Sequence, residues 1–456
     1  MQKLRNFKLP AAAIVALSFF MIICVGTALL CIPAATVERK VNFLTSLFTA
    51  TSATCVTGLS VSAMATYWSY YGQVVILLLI QVGGLGFITI ISLFMLYVKK
   101  HASLSQRKLV MQSAGSVDLA SVKSLVKIIL LGTLIFEVAG AFCLSFAFVP
   151  VYGWGEGIWQ AVFTSVSAFC NAGFTVTDRN GSVSLMQFVS NPLVNIVVIL
   201  LIVIGGIGFF VWGDVIHHGI KIRKYSFHSK VVLSTTGVLI ALGWALFMAF
   251  EWNNPATLGG KGAGTKILAS LFMSVTPRTA GFNTVDYAGM SGAGTALTNV
   301  FMLVGGSPGS TAGGIKTTTL AVFVLSMWAT SRRYDEIHLY KRRFEADASH
   351  QAGAIVCLYV LVAVASAMLI CAIESAHFGW GADMPSLTDV SFEVVSAVGT
   401  VGLSRGITAD LHAVSKIILI MLMFFGRVGG FTLVLVFSGE KKPVALSRVA
   451  DKIIIG

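Results

Sequence analysis

Charge is scarce in this chain. Asp, Glu, Lys and Arg make up only 11% of its 456 residues, against ~25% in an ordinary soluble domain. So few polar side chains cannot cover a water-facing surface, which excludes a soluble enzyme. Hydrophobic residues make up 56% and the mean hydropathy is +0.85, which excludes disorder as well. There are seven cysteines, and no CxxC pair occurs. An odd number, mostly inside apolar runs, argues against a disulfide framework and a zinc site. The eight histidines are scattered through loops and ends without a repeated metal spacing. No Walker loop is present, so nucleotide hydrolysis on this chain is excluded. GGLGF at 83–87 and GGIGF at 205–209 superficially resemble nucleotide-binding glycines. They have no strand–helix context and read as mid-helix glycines.

What is abundant is long apolar sequence. Eight segments, roughly 11–32, 72–98, 124–149, 192–216, 231–251, 294–328, 351–373 and 412–437, are each long enough to cross a bilayer. The runs are continuous, which favours helices over barrel strands. The basic N-terminus followed by an apolar run resembles a signal peptide. The run is ~22 residues, enough to span, so it is expected to remain as a first helix. Lys and Arg lie mainly on one side of this even-numbered bundle. The N-terminus, 99–127, 217–230, 330–348 and the tail 438–456 together hold 22 of the 32. The opposite loops hold seven: Arg39, Lys40, Arg179, Lys261, Lys266, Arg405 and Lys416. Both termini are therefore expected in the cytoplasm. Arg278, Lys316 and Arg427 fall at membrane depth, where a charge needs a cavity or a partner.

The outer loops carry four shorter apolar stretches, 43–55, 158–170, 265–276 and 387–398, too short to span. Each runs into a related turn: SATCVTGLS, SAFCNAGFT, SVTPRTAGFN and SAVGTVGLS. The turn glycines are Gly58, Gly173, Gly281 and Gly402, spaced by 115, 108 and 121 residues. A second landmark follows each turn: Val82–Gly84, Ile204–Gly206, Val304–Gly306 and Val428–Gly430. Its first glycine comes 25, 32, 24 and 27 residues after the turn glycine. A glycine pair alone signals close helix packing in lipid. Four pairs in step with four turns indicate an internal repeat. The expected architecture is an all-α membrane protein of four parallel helix–pore-loop–helix repeats around one pseudo-fourfold axis. Its units would span 1–100, 101–220, 221–348 and 349–456.

Extended turns at membrane depth expose carbonyls that are tolerated only where they line a water- or ion-filled cavity. Rings of carbonyls can replace the hydration shell of potassium. Glycine permits the φ > 0 that aims successive carbonyls one way, and the small Thr57, Ala172, Ala280 and Val401 keep the turns narrow. No carboxylate ring accompanies them, which argues against a calcium filter. Asp178, Asp286, Asp383, Asp389 and Asp410 lie on the outer side as solvated or cation-attracting residues. Glu137 and Glu393 are the main acidic residues inside apolar segments.

The turns TGLS, NAGF, TAGFN and TVGLS on a fourfold two-helix unit resemble the Trk/Ktr/HKT superfamily of potassium transporters, over about residues 11–456. A single helix before Gly58, rather than three, is similar to the membrane subunits of bacterial Ktr uptake systems. The resemblance implies that Val56, Thr57 and Gly58, Asn171, Ala172 and Gly173, Thr279, Ala280 and Gly281, and Thr400, Val401 and Gly402 form a selectivity filter. It implies K⁺ as the permeating ion, Na⁺ as an activator, no organic cofactor on this chain, and a place in the bacterial cytoplasmic membrane. It also implies a homodimer docked on a cytosolic, nucleotide-binding ring of RCK type (KtrA-like), with lipid around it and no nucleic-acid partner. The apolar tail ending ADKIIIG would suit a dimer interface or a free amphipathic end.

Two irregular features would lie below the filter. Residues 303–320, LVGGSPGSTAGGIKTTTL, place glycines and Pro308 inside an apolar span, which breaks a helix. A plain loop there would give nine spans and put the basic 330–348 segment outside, against the charge rule. A broken helix lining the cavity fits better. The resemblance implies a gate made of Gly305, Gly306, Ser307, Pro308, Gly309, Ser310, Thr311, Ala312, Gly313, Gly314, Ile315, Lys316 and Thr317. Arg427 aligns with Gln81, Val203 and Leu303 on the glycine landmark. It reads either as an arginine paired with carbonyls or as a fixed charge repelling K⁺. At ~6 Å and a dielectric near 20 that repulsion is roughly 2.8 kcal/mol. The rival mechanism, alternating access, predicts inverted repeats and buried acids, whereas these repeats run parallel.

Overall fold

The structure is a computed structural model and describes residues 11–97, 119–177, 184–334, 338–340, 342–344, 347–378 and 384–429. The N-terminal lysines and arginine, most of the basic 99–127 segment, Arg179, Gly430 and the 438–456 tail lie outside the described residues.

Fourteen helices organise the described chain: α1 Ala11–Leu30, α2 Phe43–Thr54, α3 Tyr70–Tyr97, α4 Leu119–Tyr152, α5 Trp154–Phe169, α6 Pro192–Gly206, α7 Phe209–His218, α8 Phe227–Glu251, α9 Ala263–Val275, α10 Gly292–Leu303, α11 Thr317–Ser331, α12 Ala348–Phe378, α13 Leu387–Gly399 and α14 Ala413–Val428. One-turn helices and a two-residue hairpin, His338–Leu339 with Arg342–Arg343, complete it. Among the described residues α4, α8 and α12 contain stretches long and apolar enough to cross a membrane as single helices.

Sequence punctuation explains many of the helix starts. Asn42 Oδ1 accepts from Leu44 N at 2.9 Å and starts α2. Asn191 does the same for α6, with Pro192 in the first turn, where its missing N–H costs nothing. Ser226 and Ser291 cap α8 and α10, and Ser386 with Asp389 forms a capping box on α13.

The short helices α2, α5, α9 and α13 occupy the centre. Along α13 the eight consecutive residues 392–399 are buried, none more exposed than Val395 at 9%. Two apolar clusters enclose them. One gathers mainly residues of α1 to α7, with Phe272 and Val275 of α9, the other mainly residues of α8 to α14, with Ile23, Phe48 and Cys55.

Three expected spans are not straight. The 192–216 span is two helices, α6 and α7, bent by 98°. The 72–98 span, α3, breaks its helical dihedrals at Gly86 (φ 73°, ψ 161°). The 294–328 span is α10 and α11 separated by the non-helical segment 304–316. GGLGF and GGIGF therefore each join packing glycines inside a helix, as expected from sequence, to a helix-breaking glycine, Gly86 or Gly208, which was not expected.

Close packing precedes each glycine break. A Cβ on Gly83 would lie 2.0 Å from Thr54 O, one on Gly205 2.0 Å from Phe169 O, and one on Gly426 2.1 Å from Val398 O. Each of these carbonyls lies four residues before a turn glycine, so the helix backbone presses on the end of a central helix. Three residues further on, Gly86, Gly208 and Gly429 have φ of 73°, 94° and 93°. That register corrects the sequence alignment. Gly426, not Gly429, is the counterpart of Gly83 and Gly205, and Arg427 stands where Gly84 and Gly206 stand.

Gly205→Ala is expected to destabilise the protein by about 1–3 kcal/mol, because the added methyl overlaps a fixed carbonyl. Thermal unfolding of the purified protein in detergent would show it. Gly213→Ala, with nothing within 4 Å of the new methyl, should leave the midpoint unchanged.

Candidate functional site

Each central helix ends in a turn with one dihedral pattern. Val56, Asn171, Thr279 and Thr400 have φ of 57°, 60°, 68° and 52°, and two residues on Gly58, Gly173, Gly281 and Gly402 have φ of 95°, 70°, 74° and 92°. For the four non-glycine residues the left-handed region costs roughly 1–2 kcal/mol each. Tertiary contacts must supply that energy. Alternating dihedrals of this kind aim successive carbonyls to one side.

The turn amides bond back to their own helices. Thr57 N donates to Ser52 O at 2.8 Å, Ala172 N to Ser167 O at 2.7 Å, Val401 N to Ser396 O at 2.8 Å and Ala280 N to Thr276 O at 3.0 Å. Ser52 Oγ and Ser396 Oγ accept from Gly58 N and Gly402 N, both at 3.0 Å. The third turn is one residue longer, because Pro277–Arg278 adds a position. Arg278 is buried at its foot. Among the described residues no hydrogen bond is made to the carbonyls of Thr57, Ala172, Ala280 or Val401.

The four turns close on one another. A Cβ on Gly58 would lie 2.4 Å from Ala172 O, one on Gly173 2.8 Å from Ala280 O, one on Gly281 2.4 Å from Val401 O, and one on Gly402 2.1 Å from Thr57 O. Each glycine meets the carbonyl before the next glycine, in cyclic order. The twelve turn residues expected from sequence are thus brought together by the fold.

The segment 304–316 lies against this ring. Asn171 Nδ2 donates to Thr311 Oγ1 at 3.2 Å, and a Cβ on Gly313 would sit 2.1 Å from Thr400 Oγ1. The segment is knitted to the break in α6–α7. Ser307 N donates to Gly206 O at 2.9 Å, Thr311 N to Gly205 O at 3.3 Å, and Phe209 N to Gly309 O at 2.8 Å. Within it, Ser310 Oγ donates to Ser307 O at 2.6 Å and Lys316 Nζ to Ala312 O at 2.7 Å. Ser307 and Thr317 share a 2.8 Å hydroxyl contact. Gly305 N bonds to Ile315 O at 2.9 Å, closing the segment at its base.

Arg427 is held by carbonyls. Its guanidinium donates to Thr311 O and Gly83 O, and to Gly84 O at 3.4 Å. It bridges the segment under the ring to the break in α3. Of the two sequence readings, the carbonyl pairing is the arrangement present.

On the far side of the ring, Arg405 Nε pairs with Asp389 Oδ1 at 2.6 Å. Burial raises the Asp389 pKa, but hydrogen bonds from Ser386 and Arg405 and the Arg405 charge outweigh it and hold the carboxyl below its ordinary value. The pair therefore persists as pH falls, past the point where an isolated aspartate is protonated.

Sequence reasoning missed Gly86, Gly208 and Gly426. The spacing shared by Gly83 and Gly86, Gly205 and Gly208, and Gly426 and Gly429 was the available signal. It also missed the serines that receive the turn amides.

A ring of carbonyls that accept no hydrogen bond among the described residues, set in an apolar helical bundle, is the kind of geometry that cation-transporting membrane proteins use. The family pattern described as TrkH, cation transport protein, matches residues 10–443. The chain belongs to that family, and is an integral membrane transporter and not an enzyme. It is 39% identical to the potassium/sodium uptake protein NtpJ of Enterococcus hirae over 95% of this chain and 94% of the relative. It is 36% identical to Ktr system potassium uptake protein B of Bacillus subtilis over 93% and 92% of the two chains. The crystal structure of the potassium transporter TrkH from Vibrio parahaemolyticus superposes with a TM-score of 0.72 at 18% identity, covering 95% of this chain and 86% of that one.

Proposed function

We propose that the chain carries out potassium uptake across the bacterial cytoplasmic membrane, with the ring of four turns as its selectivity filter. The observation that carries this reading is the closed cycle in which each turn glycine abuts the next turn's carbonyl. Carbonyls that spend no hydrogen bond on the protein are available to a dehydrated cation. In this reading the chain is four repeats, 1–100, 101–220, 221–348 and 349–456, about one axis. Flux is passive and driven by the membrane potential. Residues 305–317, with Arg427, form the gate.

Both termini lie in the cytoplasm by the distribution of Lys and Arg. Na⁺ acts as activator, two copies pair, and a cytosolic RCK-type ring governs the gate. These points rest on the resemblance to Ktr membrane subunits and on the relatives' names, one of which includes sodium and one a Ktr system.

The test is ⁸⁶Rb⁺ uptake in cells lacking their own potassium systems, with and without Na⁺ and with and without a co-expressed ring subunit. Uptake that saturates with K⁺, resists competition by Na⁺ and rises with both additions is expected. Absence of uptake at normal membrane expression, or equal uptake of Na⁺ and K⁺, overturns the filter assignment.

A further inference from the structure

Glu393 lies on α13, nine residues before Gly402, and is 1% exposed. Its carboxylate is fully used by the chain that leaves the fourth turn. Oε1 accepts from Ser404 Oγ at 2.5 Å and from Arg405 N at 3.0 Å. Oε2 accepts from Thr408 Oγ1 at 2.8 Å. Ser404 and Thr408 also share a 3.0 Å hydroxyl contact. The fourth turn is therefore anchored at both ends to one helix: by Ser396 before Gly402 and by Glu393 just after it.

Arg405 extends the anchor to the neighbouring repeat. Its Nε pairs with Asp389, Nη1 donates to Tyr287 O at 3.0 Å and Thr295 Oγ1 at 3.1 Å, and Nη2 donates to Ala288 O at 3.0 Å. The segment after Gly281 and the segment after Gly402 are thus held by a single guanidinium.

The other turns are built differently. Nine residues before Gly58 and Gly173 stand Thr49 and Thr164, whose buried hydroxyls have no partner. In the third turn Thr276 Oγ1 donates to Phe282 O at 2.7 Å instead. Three bonds to one buried carboxyl tie the chain after Gly402 back to α13, and a buried polar group so engaged is costly to release. The chain leaving the fourth turn is thus braced by side-chain bonds that Thr49 and Thr164 do not provide for the first and second.

We propose that Glu393, with Arg405 as its link to the third repeat, is a positioning residue that sets K⁺ over Na⁺ discrimination by fixing the fourth turn's carbonyls. Na⁺ is the smaller ion, and a ring able to contract around it loses discrimination. A tether at the exit of one turn opposes that contraction. This rests on the filter reading above.

The experiment reconstitutes the full-length chain in proteoliposomes and measures K⁺ and Na⁺ flux ratios per inserted protein. Glu393→Ala should lower the K⁺/Na⁺ ratio by about tenfold, the scale of one lost buried hydrogen bond, without lowering total cation flux. Glu393→Gln keeps an acceptor for Ser404 or Thr408 and should restore most of the ratio. Arg405→Lys, which loses the forked contacts, should fall between. Thr49→Ala and Thr164→Ala should leave the ratio unchanged.

If Glu393→Ala inserts poorly, Thr408→Val with Ser404→Ala removes the same side-chain bonds from the other side and should give the same loss. Gly402→Ser separates the two readings. A changed ratio in Gly402→Ser with an unchanged ratio in the Glu393, Arg405 and Ser404/Thr408 variants overturns the positioning role. An unchanged ratio in Gly402→Ser overturns the filter reading itself. A fall in flux of both ions together, at constant ratio, also overturns the positioning role, because it marks general damage.

Discussion

Arg427→Ala is expected to insert normally and to pass K⁺ up to about a hundredfold faster than the parent. Two effects act in the same direction. The guanidinium keeps its charge when bound to carbonyls, and a unit charge ~6 Å from a permeating K⁺ would repel it by roughly 2.8 kcal/mol at a dielectric near 20, about two decades of rate where that step is limiting. The same guanidinium ties Thr311 to Gly83 and Gly84, so its removal also frees the segment 304–316 from the first repeat. The opposing effect is on stability. Two or three carbonyls lose a charged donor, at a cost of about 1–3 kcal/mol if no water replaces it. Deletion within 308–314 should raise flux in the same way and weaken dependence on a cytosolic partner. Liposome flux normalised to inserted protein separates the outcomes. A slower or unchanged rate per inserted molecule sinks both the barrier and the tether.

Gly402→Ser is expected to abolish most of the preference for K⁺ over Na⁺. A Cβ at this position would lie 2.1 Å from Thr57 O and 2.9 Å from Gly58 Cα, so the first and fourth turns must separate. Gly402 has φ of 92°, so the serine would also favour a different backbone dihedral, at roughly 1–2 kcal/mol. Both changes redirect carbonyls on the ring. The same substitution at Gly173, where the nearest carbonyl would be 2.8 Å away, should have the milder effect. Apparent affinities for K⁺ and Na⁺ in uptake assays report the difference, and wild-type values in a normally expressed Gly402→Ser protein would contradict the assignment.

The short central helices were readable because their apolar stretches are too brief to span and each runs into a glycine turn. Residues 43–55, 158–170, 265–276 and 387–398 were expected, and α2, α5, α9 and α13 occupy 43–54, 154–169, 263–275 and 387–399. The interruption around Pro308 was equally open to reading, because proline and polar residues inside an apolar run leave a local mark. The breaks at Gly86 and Gly208 leave no mark in hydropathy, only a three-residue glycine spacing. Hydropathy continues unbroken across GGLGF and GGIGF, and a glycine in lipid is equally good at packing helices. The left-handed dihedrals come three residues after the close approach of Gly83 to Thr54 O and of Gly205 to Phe169 O, contacts between separate elements that hydropathy does not register. The register of Arg427 failed for the same reason. Val428–Gly430 matched by composition, whereas the contact between Gly426 and Val398 O fixes the alignment.

All four turns belong to one polypeptide, and this frees each from its neighbours' constraints. In a ring of identical subunits every substitution is made four times, so a single charge, extra residue or brace is out of reach. Here the third turn carries an additional residue, the exit of the fourth is bonded to the Glu393 carboxyl, and one arginine reaches across to one loop. A mutation tests one quadrant while the remaining three act as internal controls, and selection can adjust one wall of the ring without disturbing the rest.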